Sequence, residues 1–473
     1  MVKMMDKTRT HNYKNNNKMK KTSMDKIRIG LIGLGNVGRG VLTYMLNPLD
    51  SSKFGYQVEY VGISNGNKRR DFTTDLNQFN GKNLPMPKLT TNVLEDIINN
   101  PEIDVVVDAV GGNAEYDKTS LTYIVGAIEN GKHVVTANKN NIARNLSRLT
   151  ALANKNKVNL RYEGAVCGGI PIIRALNNYF FNDEILKIVG IINGTSNYIL
   201  TKMHEGKTYE EALGEAQKEG YAEADPTNDV NGTDAASKLA ILASLAFKTE
   251  IKPENITLIE GIDRIKSYDV FYVKEHLSKF RDQAHIIKSL GIIEKKDNKL
   301  ELKVIPAFIS EQHPLYGTNG AINAITIVGK FSGIYTFKGP GAGSAPTGFA
   351  LVNDILDIGE RIKQGVVANF SSFENTYELL NKMESSGFVR SVSPEHRNGV
   401  FGEKTKIFAK HGLDIYQIYN FPGHMTEGDD ALLPDIISIE RAKEENINAM
   451  LKELKSARCN HGEPIYLRED LVF

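Results

Sequence analysis

From Lys26 to Leu46 a short apolar stretch, with Ile27, Ile29, Leu31 and Ile32, runs straight into Gly33-Leu34-Gly35-Asn36-Val37-Gly38. A helical pattern follows from Arg39 to about Leu46. A glycine-rich GxGxxG turn between a strand and a helix constrains the fold more than any other feature of the chain. Gly33 permits the tight turn, Gly35 lets backbone approach a pyrophosphate, and Gly38 allows close helix–strand packing. The free N–H groups of the helix start then face the phosphates, with Asn36 and Val37 in that first turn. The motif alone is weak, but βα alternation continues after it. The sequence predicts strands at Val58–Ile63, Ile103–Val107, His133–Thr136 and Val158–Tyr162, and a helix over Thr119–Asn130 closed by Gly131. That alternation specifies an α/β fold with a parallel, doubly wound, Rossmann-type nucleotide domain.

The second strand bears on the coenzyme. An acid at its carboxyl end would bond the adenosine ribose hydroxyl and favour NAD. This strand ends in Gly62-Ile63-Ser64-Asn65, and Lys68, Arg69 and Arg70 follow. The cluster suits a 2′-phosphate and tilts the reading to NADP, with NAD as the alternative. A solvated basic loop is an equally weighted reading of the cluster. Gly111 and Gly112 end the buried run Val105–Val110 at the edge where ligands bind in such sheets. Lys139 follows the next strand, and by itself reads as a helix-start surface lysine.

The segment GYAEADPTNDVNGTDAASKLAIL, residues 220–242, places Glu223, Asp225, Asp229 and Asp234 ahead of an apolar helix that contains Lys238. From Ala235 to Phe247 only Ser237, Lys238 and Ser244 are neither apolar nor alanine. A lysine in such a helix must reach a polar cavity or lose its charge. Asp234 and Lys238 are spaced i, i+4 and share a face. A surface ion pair is the commoner fate of this spacing. The apolar neighbours favour a buried polar pocket of substrate size.

At 473 residues the chain holds about two or three domains. A net charge of +1 gives no draw toward nucleic acid or membrane, and no apolar run is long enough to span a bilayer. The two cysteines, Cys167 and Cys459, point to a reducing cytoplasm. Residues 1–25 read as a disordered basic tail, with seven Lys or Arg against Asp6 in the first 23 residues. A transit peptide, a basic arm and initiation at Met24 are alternative readings of it.

Together the blocks GLGNVG, VVVDAVGG, GKHVVTANK, YEGAVCGGIPII, GTSNYIL, GYAEADPTNDVNGTDAASKLAIL and GPGAGSAPT resemble the homoserine dehydrogenases, over roughly Lys26 to Arg361. The resemblance implies NAD(P)H-dependent reduction of L-aspartate 4-semialdehyde to L-homoserine, and the reverse, in threonine and methionine biosynthesis. By match, Lys238 is the catalytic lysine, Asp234 its partner, and Lys139 the second active-site lysine, which also faces the cofactor. Glu223 matches the carboxylate that binds the substrate ammonium, and Asp229 a further pocket acid. Gly194 and Thr195 match the turn lining the substrate. Gly341, Ala342 and Gly343 match the loop that returns to the cofactor. Glu163, Val166, Gly168 and Ile170 match a sodium site built largely of backbone carbonyls. Cys167 departs from the family pattern, which has glycine there. It reads as an ordinary buried small residue rather than a redox group. A lysine ammonium beside the substrate oxygen would stabilise its developing charge and donate the proton. Burial and Lys139 would lower the pKa of Lys238 while Asp234 raises it, and the sequence leaves that balance open.

After Arg361 the pattern changes. Strands are predicted at Phe388–Val392, Leu413–Tyr419, Asp435–Glu440 and Pro464–Leu467, with helices at Gly399–Gly412 and Ala442–Ser456. This βαββαβ order resembles an ACT regulatory domain, with threonine the first effector to test and a purely dimerising module as the alternative. The expected division is a Rossmann domain over 26–160, onto which 338–362 packs back, an α+β catalytic and dimerisation domain over 161–337, and a linker with the ACT-like domain over 363–473. The C-terminal part reads as separate, and its deletion from Gly387 onward is expected to leave the chemistry intact. The expected assembly is a homodimer or homotetramer. An amino-acid-sensing protein without turnover is the reading from another class; the presence of Glu223 and Lys238 speaks against it.

Overall fold

The structure is a computed structural model that describes residues 26–46, 57–64, 88–111, 114–367, 372–380, 383–393, 399–421 and 433–470. The basic tail, Lys68, Arg69, Arg70 and Gly112 lie outside the described residues.

Six strands form an all-parallel sheet: β1 (Lys26–Ile32), β2 (Gln57–Ser64), β3 (Lys88–Thr90), β4 (Val105–Asp108), β5 (His133–Thr136) and β6 (Leu160–Arg161). Their order is β3-β2-β1-β4-β5-β6. The chain reverses direction across the sheet between β1 and β4, and the Gly33–Gly38 turn leaves β1 at that point. Ligands bind at such switch points in open α/β sheets. Helices α1 (Asn36–Leu46), α2 (Ala114–Glu129) and α3 (Lys139–Asn156) supply the crossovers. The predicted helix at Thr119 starts earlier, at Ala114, with Glu115 and Asp117 in the first turn where acids favour the helix dipole. The predicted strand Val158–Tyr162 shortens to β6. Asn159 donates its backbone N–H to His133 Nδ1, and Glu163 already opens a tight helical turn.

Beyond the sheet come α4 (Ile172–Asn178), α5 (Gly194–His204), α6 (Tyr209–Lys218), α7 (Thr233–Phe247) and α8 (Ser344–Gln364). Helix α8 returns to the nucleotide sheet. Its Leu351, Val352, Ile355 and Ile358 share a core with Ile27, Ile29, Leu31, Val41 and Val107. It crosses α1 at glycine. A Cβ on Gly40 would lie 1.9 Å from the Ser344 carbonyl oxygen, and one on Gly348 would lie 2.5 Å from the Gly40 carbonyl carbon.

The second sheet is mixed. Its strands are β7 (Ile185–Ile191), β8 (Leu258–Ile259), β9 (His285–Lys296), β10 (Lys299–Ser310), β11 (Ile322–Gly329), β12 (Gly333–Pro340), β13 (Glu378–Leu379), β14 (Glu384–Ser393), β15 (Ile415–Asn420), β16 (Leu433–Lys443) and β17 (Ile465–Glu469). They run β12-β11-β7-β9-β10-β17-β14-β16-β15, with β8 and β13 also on β10. Helix α9 (Val400–Lys410) follows β14 and α10 (Glu444–Ser456) follows β16, so the βαββαβ order is present.

The C-terminal strands do not stand apart, contrary to the reading from sequence. Strand β17 pairs in parallel with β10, Ala307 opposite Arg468 and Phe308 opposite Glu469. One apolar core joins Tyr272, Ile287 and Phe308 to Phe388, Ile436, Ile465 and Leu467. Ion pairs cross the same seam: buried Arg390 to Asp269 at 2.6 Å and Lys187 to Asp470 at 3.1 Å, and buried Arg468 to the partly exposed Glu260 at 2.5 Å. A sequence reading misses this because β17 lies at the far end of the chain and carries no mark of its neighbour.

Candidate active site

The glycines of the first turn do three different things. Gly33 has φ 95°, and a Cβ there would meet the Ala109 carbonyl oxygen at 2.7 Å. A Cβ on Gly38 would meet the Gly33 carbonyl oxygen at 1.9 Å. A Cβ on Gly35 would meet nothing within 4 Å among the described residues. The first two lock the turn against β4 and α1, and the third leaves backbone open to a ligand, so these residues fit a dinucleotide pyrophosphate. Ser344 donates its hydroxyl to the Asn36 carbonyl at 2.6 Å. That bond brings the Gly341–Gly343 loop, which caps α8, beside this turn.

The carboxyl edge of β4 and β5 is held from beneath by a buried polar network. Asp108 accepts from Ser120 Oγ at 2.7 Å and Thr136 Oγ1 at 2.8 Å, and burial pushes its carboxyl up to about 6. Asn138 caps α3 by accepting from the Asn141 N–H, and donates to the Val110 carbonyl and to Asp117. The network fixes the turn that leads to Gly111 and sets Lys139 as the first residue of α3. None of these side chains was singled out from sequence; an Asn one residue before a helix is the signal that was there to read.

Helix α7 packs against α3; almost every residue of it is buried, and Asp234 and Lys238 are among them. The surface-pair reading therefore fails. Lys238 Nζ donates to Asp234 Oδ2 at 2.7 Å and to the Ile192 carbonyl at 2.9 Å. An ammonium has three donors, so one is left unused among the described residues. Lys139 reaches the other oxygen, Asp234 Oδ1, at 2.8 Å, and is itself about a third exposed. Thus one carboxylate ties the edge of the nucleotide sheet to the helix of Lys238. Burial alone would lower the pKa of Lys238, but Asp234, with Cys167 and Asp229 behind it, outweighs burial and the net shift is upward. Burial would likewise raise Asp234, and the two lysines reverse it, holding its carboxyl below the usual carboxylate range. The balance left open by the sequence falls to a cationic Lys238.

Asn193 completes the cluster. Its Nδ2 bridges Asp229 Oδ1 at 2.7 Å and Asp234 Oδ2 at 2.8 Å, while its Oδ1 caps α5 at Ser196. Burial and Asp234 push the Asp229 carboxyl up. Asn193-Gly194-Thr195-Ser196 is a readable helix-start signature, although the bridge itself is not readable. The Thr195 hydroxyl donates to the Tyr221 carbonyl at 2.6 Å, which pins the loop carrying Glu223 against the start of α5. Glu223 is exposed on that loop and outside the bonded cluster. Asp225 is used locally, accepting from Thr227.

The loop 163–170 lies behind Lys238. Glu163 accepts the N–H groups of Ile173 and Arg174 at 2.9 Å each, capping α4, and its own N–H goes to Asp354. Burial and Asp354 push the Glu163 carboxyl up to about 7. The buried carbonyls of Val166 and Gly168 accept no hydrogen bond among the described residues. A hard cation would satisfy these two carbonyls, whereas the Ile170 carbonyl already accepts the Ile172 N–H at 2.8 Å and the Glu163 carboxylate is taken by two backbone N–H groups. Cys167 has φ 49°, in the left-handed region where glycine is at ease, and it is buried.

A glycine-turn nucleotide sheet facing a lysine held by one carboxylate defines a nicotinamide-dependent oxidoreductase of the dehydrogenase class. Comparison with known proteins narrows this further. The family model described as homoserine dehydrogenase matches residues 171–356, and the one described as homoserine dehydrogenase, NAD binding domain, matches residues 33–163. A homoserine dehydrogenase of Bacillus subtilis (strain 168) is 36% identical over 436 residues, covering 91% of this chain and 95% of the relative. The crystal structure of a homoserine dehydrogenase from Thiobacillus denitrificans superposes with a TM-score of 0.80 at 32% identity, over 95% of this chain and 99% of that one. That of S. aureus homoserine dehydrogenase gives 0.67 at 28% identity, over 95% and 100%. The chain belongs to the homoserine dehydrogenase family. Among the described residues no helix is long and apolar enough to cross a membrane.

Proposed function

We propose that the cluster on Asp234 carries out the family reaction, reduction of L-aspartate 4-semialdehyde to L-homoserine and its reverse. The observation that carries this reading is the double grip of one buried carboxylate on Lys238 and Lys139. A nicotinamide held on the glycine turn would supply the hydride in reduction and take it in oxidation. Lys238 Nζ presents its remaining N–H to the substrate oxygen, stabilises the charge that develops there and transfers the proton. Asp234 keeps that ammonium oriented and charged. Lys139, on the same carboxylate at the edge of the nucleotide sheet, would face a bound nicotinamide. Glu223, on the loop pinned by Thr195, takes the substrate ammonium, and Asp229 adds negative charge nearby. Gly194 and Thr195, at the start of α5, would line the substrate, and Gly341, Ala342 and Gly343 would line the coenzyme beside the glycine turn.

The oxidation of homoserine needs Lys238 neutral, so its rate should rise with pH on the alkaline side. In Asp234→Asn the anion that outweighs burial is gone, and burial then lowers the lysine pKa. The rising limb of kcat/KM for homoserine should therefore move to lower pH, with a reduced maximum. A limb that stays in place would show that Asp234 does not set the charge of Lys238.

NADP is the preferred coenzyme in this reading, with NAD the alternative, because β2 ends without an acid and Lys68, Arg69 and Arg70 follow. Guanidinium groups bind phosphate in a bidentate fork, which an ammonium cannot do. Replacing Arg69 and Arg70 by alanine should raise KM for NADP and leave that for NAD unchanged. An unaltered coenzyme preference would return the cluster to a solvated loop. Sodium at Glu163, Val166, Gly168 and Ile170 would rigidify the loop behind Lys238.

The C-terminal strands in the order β17-β14-β16-β15, fourth-first-third-second, support the ACT-like regulatory reading, with threonine as the effector to test. Tyr179, Phe181, Phe331, Ile334 and Tyr335 are exposed around the edge strand β12 and support burial against a second copy, in a homodimer or homotetramer.

A further inference from the structure

Asn323, in β11, is buried at 1% exposure, yet its Oδ1 has no hydrogen-bond partner among the described residues. An unmade bond on a buried amide costs free energy, so such a group calls for a partner that arrives later. Three segments of the site enclose it. Its Nδ2 donates to Cys167 Sγ at 3.2 Å, and that sulfur lies 4.0 Å from the Ile192 carbonyl that also holds Lys238. Gly194, the first residue of α5, is near enough that a Cβ would sit 3.3 Å from Asn323 Oδ1. Gly341 is closer still; a Cβ there would lie 2.1 Å from the amide carbon. The amide is thus walled by the loop behind Lys238, the start of α5 and the glycine loop beside the nucleotide turn.

We infer that Asn323 is a ligand-binding residue of this site, whose side-chain carbonyl accepts a hydrogen bond from an N–H group of the bound molecules. Two such groups enter the site, the substrate ammonium and the carboxamide of the nicotinamide. Cys167 is the anchor that keeps the amide turned this way. The inference rests on the placement of the substrate beside Lys238 proposed above.

Asn323→Leu keeps the approximate volume and removes the acceptor. Steady-state kinetics with homoserine and NADP should show one KM raised roughly tenfold or more, the loss expected for a buried bond to a polar or charged donor. A rise in KM for homoserine identifies the ammonium as donor, and a rise in KM for NADP the carboxamide. Asn323→Asp, which retains acceptor oxygens, should restore the affected KM toward the native value. If the leucine variant does not fold, Asn323→Ser takes its place, since its hydroxyl is too short to reach the ligand. A folded leucine or serine variant with both KM values unchanged overturns the inference, as does equal damage in the leucine and aspartate variants. Lys238→Ala, measured in parallel, separates the two levels. If it is inactive while Asn323→Leu is normal, only the role of Asn323 fails.

Discussion

Lys238→Ala is expected to lower turnover about 100- to 10,000-fold, the contribution typical of a general acid–base group. Coenzyme binding should stay nearly unchanged, because the glycine turn and Ser344 belong to the nucleotide sheet and α8, not to α7. The fold should also hold. Without Lys238, Asp234 still has Lys139 at 2.8 Å and Asn193 at 2.8 Å, so no buried charge is stranded. Glu223→Ala should act differently, raising KM for homoserine more than it lowers kcat, because a group that binds the ammonium moves no proton. Steady-state kinetics with a fluorescence titration of the reduced coenzyme check both. Near-normal turnover in Lys238→Ala would mean that the lysine is a structural ion pair.

Deletion of residues 387–473 is expected to prevent the rest of the chain from folding stably, although every candidate catalytic residue precedes the cut. The truncation uncovers Phe308, Tyr272 and Ile287, which are at most 1% exposed in the full chain. It removes Phe388, Ile436, Ile465 and Leu467 from the same core. Each large apolar side chain contributes about 1.5–3 kcal/mol by burial. Losses at several sites approach the roughly 5–15 kcal/mol by which a whole domain is stable. The edge of β10 would also lose its pairing with β17. The outcome would be read from soluble yield and thermal unfolding. A soluble truncated enzyme with native melting temperature would contradict the shared core.

The features legible in the sequence are local in the chain. The Gly33–Gly38 turn is one run of six residues between a strand and a helix, and each glycine has its own steric reason. Asp234 and Lys238 are one helical turn apart, so their pairing follows from the helix period. Strand β5 matches the sequence reading residue for residue, since its apolar run is bounded by glycine on one side and the Asn138 cap on the other. What was hidden depends on distant segments meeting. The Ile192 carbonyl is a backbone group with no side-chain signature. Asn193 could be read as a helix cap, but its bridge between Asp229 and Asp234 needs the loop after α6 to fold back. The Asp108 network draws on β4, β5, α2 and α3 together. The union of β17 with β10 joins residues more than a hundred positions apart.

In the proposed reaction the remaining N–H of Lys238 meets the reacting oxygen, and a crystal structure of the enzyme with NADP and homoserine tests this most directly. The homoserine hydroxyl oxygen should lie within hydrogen-bond distance of Lys238 Nζ, about 2.6–3.2 Å, with Asp234 still bridging Lys238 and Lys139. A substrate bound with its hydroxyl out of reach of Lys238, and Nζ still engaged only by Asp234 and the Ile192 carbonyl, would contradict the account.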